Sequence, residues 1–198
     1  MPTTELEDLI KSLSKLPGVG ARSARRIALH LLRDPSRNLT PFLFALTRAA
    51  ETIVVCRQCG NLDSQNPCHI CADPRRADGT ICVVADINDL WAFERTAAHR
   101  GQYHVLGGVM SGLNDVSVDN LHLAELLTRA ASPNVREIIL ALPATVDGQT
   151  TAHVVQERLT EAAPGVVVTR RSPFGRSRLS VSFARAASSF MKTSCAVR

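Results

Sequence analysis

The organisation of this chain depends on one stretch, which reads Cys56-Arg57-Gln58-Cys59, then eight residues, then Cys68-His69-Ile70-Cys71. Two C-x-x-C turns this close together supply four thiolates to one tetrahedral ion, and Zn²⁺ is the usual occupant. The spacer Gly60–Pro67 contains one strongly apolar residue, Leu62, so it cannot build a core and needs a metal to hold it together. The sequence therefore predicts one structural zinc ion bound by Cys56, Cys59, Cys68 and Cys71.

A pair of disulfides and a redox C-x-x-C motif are the alternatives to zinc for these cysteines. Met1–Ser12 carries four charged residues and no apolar run, so nothing there resembles a secretory signal. We therefore expect a cytoplasmic chain whose thiols stay reduced, and a redox motif does not need duplicating. Since four thiolates fill the coordination shell, the site is expected to be structural and not catalytic, with His69 a bystander.

The composition limits the class of protein. Of the 198 residues 45% are hydrophobic, which suits a globular interior, and there is no run of about 18 apolar residues to cross a membrane. The net charge is +5, but it comes from the end of the chain, where no acid follows Glu161. The last seven cations are Arg170, Arg171, Arg176, Arg178, Arg185, Lys192 and Arg198. Without them 16 cations face 18 acids, so the overall charge is weak support for DNA binding.

Upstream of the cysteines, a glycine-containing turn joins two helical patterns. Apolar residues recur at helical spacing over residues 4–15 and again from Ala24 to Leu31. Between them lies Leu16-Pro17-Gly18-Val19-Gly20, in which the proline ends the first helix and the glycines allow a tight turn. This pattern predicts a helix-hairpin-helix.

The second helix of this motif carries the candidate nucleic-acid contacts. Backbone N–H groups at a helix start are suited to bind a DNA phosphate. Arg22 and Arg26 share one helix face with Arg25 beside them, and they can reach neighbouring phosphates. We therefore predict sequence-independent DNA binding by Gly18, Gly20, Arg22, Arg25 and Arg26. The alternative is an ordinary helical hairpin whose arginines form only a solvated face.

The rest of the chain shows helical and strand patterns in alternation. A further helix is expected at Pro41–Glu51, with Phe42, Leu43, Leu46 and Ala50 in the core. After residue 79 the expected strands are Thr80–Val84, Tyr103–Leu106, Glu137–Leu142 and Val166–Thr169. The expected helices are Asp89–Thr96, Asp119–Ala130 and Gln149–Glu161. All the strands except the second are continuous apolar runs, as expected for burial on both faces, so a mostly parallel α/β sheet is predicted.

Several short motifs make the chain resemble a known family. They are Glu94-Arg95-Thr96 with Arg100-Gly101, Tyr103-His104-Val105-Leu106-Gly107-Gly108, Ser111-Gly112-Leu113, and Thr145-Val146-Asp147-Gly148-Gln149-Thr150-Thr151-Ala152. Together with the hairpin and the four cysteines, in this order, they are similar to the RecR family of bacterial recombination mediators. The resemblance runs from about residue 5 to Thr169.

The resemblance implies a four-part chain with a role in recombinational DNA repair. The expected parts are a helix-hairpin-helix domain (1–53), a four-cysteine zinc knuckle (54–78), a Toprim-like α/β domain (79–170) and a divergent basic tail (171–198). RecR-like proteins act with the partners RecO and RecF, help to load recombinase onto gapped DNA and form ring-like homo-oligomers. The expected function is therefore that of a DNA-binding mediator without enzymatic activity, and no membrane partner is expected.

The acidic residues of a catalytic Toprim site are mostly missing. Toprim enzymes hold Mg²⁺ with a Glu at the end of the first strand and a D-x-D motif at a later strand end, because the metal stabilises charge on the phosphate. Here Ala85 occupies the first position, and the neighbouring Asp86 points to the opposite face. Asp147-Gly148-Gln149 retains one carboxylate of the later pair. Asp86 and Asp147 thus form a degenerate site, and a Mg²⁺-dependent nuclease or topoisomerase-like enzyme remains the alternative function.

The C-terminal tail departs from the family pattern. RecR-like chains continue with an acidic strand and a closing helix, whereas residues 171–198 are rich in arginine and serine and contain no acid. A basic nucleic-acid-binding arm and a replaced C-terminus from an altered reading frame are the two explanations, and the abrupt change at Arg171 favours the second. Oligomerisation is the property that such a change puts most at risk.

Overall fold

The structure is a computed structural model that describes residues 3–97, 99–111 and 121–171. The chain divides into two compact units, Met1–Ile53 and Val54–Arg198. Within the described ranges no helix is both long enough and apolar enough to cross a bilayer. The expectations for the tail beyond Arg171 lie outside the described residues.

The N-terminal unit is helical. Its elements are α1 (Thr4–Ser14), α2 (Ala21–Arg33), a π-helical turn (Pro35–Leu39) and α3 (Thr40–Thr52). The first two helices pack against each other, and Ala24, Ala28 and Leu31 form the buried face of α2, at the spacing that the sequence predicts. Small side chains on that face let the helices approach closely. The helix-hairpin-helix expected from the sequence is therefore present.

Helix α3 does not behave as the sequence suggests. The expectation that Phe42, Leu43, Leu46 and Ala50 belong to the core is wrong, because all four are exposed. Phe44 is the most exposed of the large apolar side chains on this helix, at 63%. A helical pattern shows that apolar residues are present, but it does not show whether the same chain provides a surface to cover them.

The second unit combines a small hairpin with an α/β layer. Its strands are β1 (Val54–Val55), β2 (Leu62–Asp63), β3 (Thr80–Val84), β4 (Gln102–Val105), β5 (Glu137–Ala141) and β6 (Val167–Arg170). Its helices are α4 (His69–Ala72), a 3-10 turn (Pro74–Arg76), α5 (Ile87–Thr96), α6 (Leu123–Ala130) and α7 (Val146–Ala162). The first two strands pair antiparallel. The described remainder forms a parallel sheet in the order β4-β3-β5-β6, so the predicted α/β class is confirmed.

Strand β3 organises the core because it is paired on both sides. Ile81 and Val83 face a cluster that includes residues of α6 and α7. Cys82 and Val84 face the opposite cluster, which includes Leu90 of α5. Both faces of the strand are therefore covered, as the continuous apolar run predicts, and Cys82 is a small core residue.

Several elements differ from the expectations; helix α5, for example, begins at Ile87 and not at Asp89. Val166–Thr169 was expected to be a buried strand, but β6 lies at an edge of the described sheet and both of its end residues are exposed; this expectation is wrong. Helix α7 begins at Val146, three residues before the expected start, because the Thr145 hydroxyl accepts a hydrogen bond from the Gly148 N–H at 3.1 Å and caps the helix. For α6, the expected start at Asp119 lies outside the described residues, but the helix begins at Leu123 after the N-cap His122, so the expectation that Leu121 and His122 are helical is wrong.

Candidate metal centre and nucleic-acid interface

The four cysteines of the two C-x-x-C turns converge on one point. Their Sγ atoms all lie within 4.8 Å of one another, and Cys59 Sγ is 3.5 Å from Cys68 Sγ. Cys56, Cys59 and Cys68 are buried, and Cys71 is partly buried. Four soft donors at this spacing match the tetrahedral all-cysteine shell of a structural zinc ion.

Hydrogen bonds between the sulfur atoms show why the cluster needs a cation. The bond from Cys59 lowers the pKa of Cys68. The same bond and burial raise the pKa of Cys59, and the pKa of Cys71 is shifted upward by its bonds to Cys59 and Cys68. Because one ionised sulfur opposes ionisation of its neighbours, four thiolates coexist only around a positive ion. Zinc supplies that charge and displaces the protons.

Backbone hydrogen bonds shape the first C-x-x-C turn before any metal is considered. The Gly60 N–H donates to the Cys56 carbonyl at 2.9 Å, and the Cys56 N–H donates to the Asn61 carbonyl at 2.7 Å. Gly60 has φ of +78°, a conformation that a residue with a Cβ adopts only with strain. Glycine is therefore the residue that adopts this turn without strain directly after Cys59.

His69 is engaged with a carboxylate and not with the sulfur cluster. Its Nδ1 lies 2.7 Å from Asp63 Oδ2, and its backbone N–H donates to the same oxygen at 2.7 Å. That backbone bond is the largest cause of the lowered pKa of Asp63. This arrangement supports the bystander interpretation of His69, which ties the start of α4 to β2.

The knuckle is fastened to the α/β layer of its own unit by polar contacts. The Trp91 indole N–H donates to Asn61 Oδ1 at 3.1 Å. After the cysteines, Arg76 forms a two-point ion pair with Glu94 at 2.7 and 2.9 Å, and it also donates to the Gly101 carbonyl. The ion pair joins the connector that follows the metal site to the Glu94-Arg95-Thr96 motif of α5, and it orients that connector.

The turn between α1 and α2 exposes backbone amides at a helix start. Gly18 has φ of +76°, and the Val19 N–H donates to the Leu16 carbonyl at 3.0 Å. Gly20 is the N-cap of α2, where it offers no side chain to the first amides, and the first turn of the helix carries no acid. A Cβ at either glycine would meet nothing within 4 Å. The N-terminus of α2 is therefore open to an anion.

The arginines predicted to bind DNA lie on the surface of α2. Arg22, Arg25 and Arg26 are all exposed, whereas Ala24 and Ala28 of the same helix are fully buried. The buried alanines fix the rotation of the helix, so the guanidinium groups project into solvent beside the open N-terminus. The residues named from sequence are thus brought together on one surface.

The degenerate Toprim positions Asp86 and Asp147 lie at the starts of α5 and α7. Ala85 follows β3 and is buried, and the side chain of Asp86 caps α5 by accepting from the Asn88 N–H at 2.8 Å. Asp147 lies in the first turn of α7 and not in a strand-end loop. Within residues 3–97, 99–111 and 121–171, only the cysteine cluster brings three or more metal-ligating side chains together.

A threonine that sequence reasoning overlooked joins two of the motifs near this edge. The buried Thr151 hydroxyl accepts from the Met110 N–H at 2.9 Å and donates to the Asp147 carbonyl at 2.7 Å. It thereby ties the segment after β4 to α7. Its place in the Thr145–Ala152 motif was the available signal, but a hydroxyl within a helix gives no sign of a partner 41 residues away.

His104 has a structural role in the same layer. Its Nε2 lies 2.7 Å from the His122 carbonyl oxygen, and its Nδ1 lies 3.3 Å from Arg129 Nη1. Burial lowers the pKa of His104 to about 4, and the Arg129 charge acts in the same direction. The neutral imidazole therefore holds β4 against the start of α6.

Comparison with known proteins agrees with this arrangement in every described part. A Toprim domain family matches residues 79–171, the family described as RecR, helix-hairpin-helix matches residues 6–50, and the RecR family described as a four-cysteine zinc finger domain matches residues 53–73. A protein of Rhodopseudomonas palustris (strain BisB5), named Recombination protein RecR, is 55% identical over 166 residues, which cover 84% of this chain and 82% of its own. The chain belongs to the RecR family.

Two further RecR relatives show the same extent of similarity. The protein of Phenylobacterium zucineum (strain HLK1) is 52% identical over 172 residues, 86% of each chain. That of Bradyrhizobium sp. (strain BTAi1 / ATCC BAA-1182) is 53% identical over 166 residues, 84% of this chain and 82% of its own. Both are named Recombination protein RecR.

RecR membership settles the general character of the chain. It is a recombination protein of DNA repair with helix-hairpin-helix, four-cysteine zinc finger and Toprim parts. The prediction of one structural zinc ion is confirmed by the zinc finger match together with the convergence of the four cysteines.

Proposed function

We propose that this RecR-family chain is a non-enzymatic mediator that binds DNA without sequence preference and helps to load recombinase onto gapped DNA. It acts in the cytoplasm with partners of the RecO and RecF type. The observation that carries the proposal is the surface of α2, where an uncapped helix start adjoins exposed Arg22, Arg25 and Arg26. Phosphates of any sequence satisfy such a surface, since it offers charge and amides but no groove-reading element.

The Toprim positions support a mediator over an enzyme. Magnesium-dependent phosphoryl chemistry needs several carboxylates on one face, and Ala85 provides none at the end of β3. Asp86 is engaged in capping α5, and Asp147 is separated from the strand end by the cap residue Thr145. Among the residues that the structure describes, the donor set near this edge is therefore poor for Mg²⁺.

The exposed apolar helix α3 supports the proposal that the protein works as a homo-oligomer. Phe42, Leu43, Phe44 and Leu46 are 47–63% exposed, and none of residues 40–52, all within the described part, is buried. Arg48 lies over the Phe44 ring at 5.7 Å and covers only part of it. An apolar helix of this kind is stable in water when another protein surface covers it, and a second copy of the chain is the occupant we propose.

A loading assay tests the mediator proposal. Gapped DNA is coated with single-strand-binding protein, and the rate of recombinase assembly is measured with the RecO-type partner, with and without this chain. We expect faster assembly with the wild type and loss of that effect when Arg22 and Arg26 are replaced by Ala. Assembly rates that do not respond to the chain at any concentration contradict the proposal.

Two further measurements separate the alternatives. A plasmid nicking and relaxation assay with Mg²⁺ is expected to show no turnover; turnover that disappears on Asp147→Ala favours the enzyme instead. Light scattering of Phe44→Arg against wild type is expected to show a smaller assembly. An unchanged mass argues that α3 is not part of the interface between copies.

A further inference from the structure

The zinc knuckle reaches the carboxyl edge of the parallel sheet through one main-chain contact. The Val105 N–H donates to the Cys59 carbonyl at 2.8 Å. Val105 is the last residue of β4, and β4 lies at an edge of the described sheet. The turn that carries a metal ligand thus occupies the outer side of this edge strand, where a backbone donor is otherwise unsatisfied.

The imidazole of His122 lies between the knuckle and the loop that follows β4. A Cβ placed on Gly60 would lie 3.2 Å from Val105 Cβ and 3.6 Å from His122 Nδ1. A Cβ placed on Gly107 would lie 3.6 Å from His122 Cε1. One ring therefore packs against two glycines, both with positive φ, one next to a zinc ligand and the other at the sheet edge.

His122 is held in place by contacts of both its main chain and its ring. Its N–H donates to the Leu106 carbonyl at 2.9 Å, its carbonyl oxygen lies 2.7 Å from His104 Nε2, and its Nδ1 lies 3.3 Å from the Val105 carbonyl oxygen. The ring cannot move away from the knuckle without disturbing these contacts. A shift of the turn at Gly60 is consequently passed on to the end of β4.

The carboxyl-edge loop, residues 106–111, leads from this contact to the degenerate Toprim positions. The Gly107 N–H donates to the Ala85 carbonyl at 3.1 Å, and the Met110 N–H donates to Thr151 Oγ1 at 2.9 Å. The loop is thus anchored on β3 and on α7. Its start is held by the knuckle and His122.

We propose that His122 couples the zinc knuckle to the carboxyl-edge loop, so that occupation of the four-cysteine site keeps this loop closed on the sheet. Zinc holds the Cys59 turn in place, the turn holds Val105 and the His122 ring, and the ring holds Gly107. Loss of the metal opens the loop without requiring the rest of the sheet to unfold. The proposal is independent of DNA binding by α2 and of the partners named above.

Amide hydrogen exchange on the full chain, resolved by mass spectrometry, tests this coupling. In the wild type, removal of zinc by a chelator is expected to speed exchange at residues 105–108 by about tenfold or more, while residues 138–140 of β5 keep their protection. In His122→Ala, exchange at Gly107 is expected to be fast already with zinc bound, and chelation is expected to add less than about twofold there. That loss of response at Gly107 is the signature of coupling through the ring.

Gly60→Ala provides a route that leaves all four thiols in place. We expect it to retain one zinc per chain, as measured by metal release, yet to speed exchange at residues 105–108, because the added methyl group presses on Val105. Gly165→Ala is the control for an added methyl group in the same unit, since a Cβ there meets nothing within 4 Å, and its exchange pattern is expected to equal that of the wild type.

The proposal is overturned if chelation speeds exchange only within the knuckle and leaves residues 105–108 unchanged. It is also overturned if His122→Ala and Gly60→Ala, both loaded with zinc, leave Gly107 protected. If chelation unfolds the whole unit, including β5, the chelation result does not test the coupling, and the test rests on the two zinc-loaded variants. Acceleration at Gly107 in both then supports the coupling.

Discussion

Replacement of Arg22 and Arg26 by Ala is expected to reduce the salt dependence of DNA binding, and the number of exposed arginines removed from α2 sets the size of the reduction. Both side chains are exposed beside the uncapped helix start. Each phosphate neutralised on duplex DNA contributes about 0.9 to the slope of log K against log salt concentration. Loss of two such contacts is therefore expected to reduce the slope by about 1.8. Between 50 and 200 mM salt, the wild type should lose about tenfold more affinity than the double variant.

Fluorescence anisotropy of two duplexes with unrelated sequences, titrated over a series of salt concentrations, measures this slope. Arg33→Ala with Arg37→Ala is the charge-matched control in the same unit. At 1.5 Å per helical residue, Arg33 lies about 16 Å along α2 from Arg22 and about 10 Å from Arg26, at or beyond the Debye length of about 8–10 Å. The control is expected to change the slope by less than about 0.5.

Either of two results would refute the reasoning. The first is an equal change of slope in the two double variants, which would assign binding to overall charge. The second is a loss of affinity confined to one of the duplexes, which would indicate base readout. Circular dichroism guards against a trivial loss of structure, although Ala is a stronger helix former than Arg.

Three further changes have defined consequences. Gly148→Ala should lower the free energy of unfolding by about 3 kcal/mol in denaturant titration, because a Cβ there overlaps the carbonyl oxygen of Pro143. Cys59→Ala should abolish binding of the one zinc ion and lower Tm, whereas Cys82→Ala, which alters a core thiol outside the cluster, should retain the metal. Between pH 6.5 and 4, stability should fall by up to about 3 kcal/mol, because His104 stays neutral in the fold with a pKa of about 4 while the unfolded chain takes up a proton.

Each of these predictions has its own control. For the helix-start glycine, Gly165→Ala should change the unfolding midpoint little, and equal effects at both positions would contradict the steric argument. For zinc, equal metal content in the two cysteine variants would contradict the assigned ligands. For the histidine, His104→Asn should flatten the dependence of stability on pH below 6.5, and an unaltered profile would assign the titration to another group.

The metal site was open to prediction from sequence because its chemistry is local. Two C-x-x-C turns separated by a short apolar-poor spacer leave few ways to arrange the sulfur atoms, and one ion satisfies all four. The hairpin was predictable for the same reason, since Gly18 and the small Ala24 act within a few residues of each other. Strand β3 was predicted with the observed bounds because a strand buried on both faces has an unbroken apolar run.

Other features depended on contacts that periodicity does not encode. The start of α7 at Val146 was missed because a threonine cap was not recognised in the segment after β5. Burial of Val166–Thr169 was wrongly expected, since an apolar run does not show whether a strand lies at the centre or the edge of a sheet. The apolar residues of α3 were assigned to a core that this chain does not provide for them.

The amino-acid sequence was sufficient to identify the four-cysteine cluster, the helix-hairpin-helix turn and the parallel α/β class, because each arises from residues close together along the chain. Only the tertiary structure shows where the Cys56–Cys71 segment contacts the rest of its unit. Gly60 and His122 are far apart in sequence, and they meet only because β4 takes the edge of the sheet beside the knuckle. Strand order is a property of the whole packed unit, since it depends on which faces and edges are covered, and no local pattern specifies it.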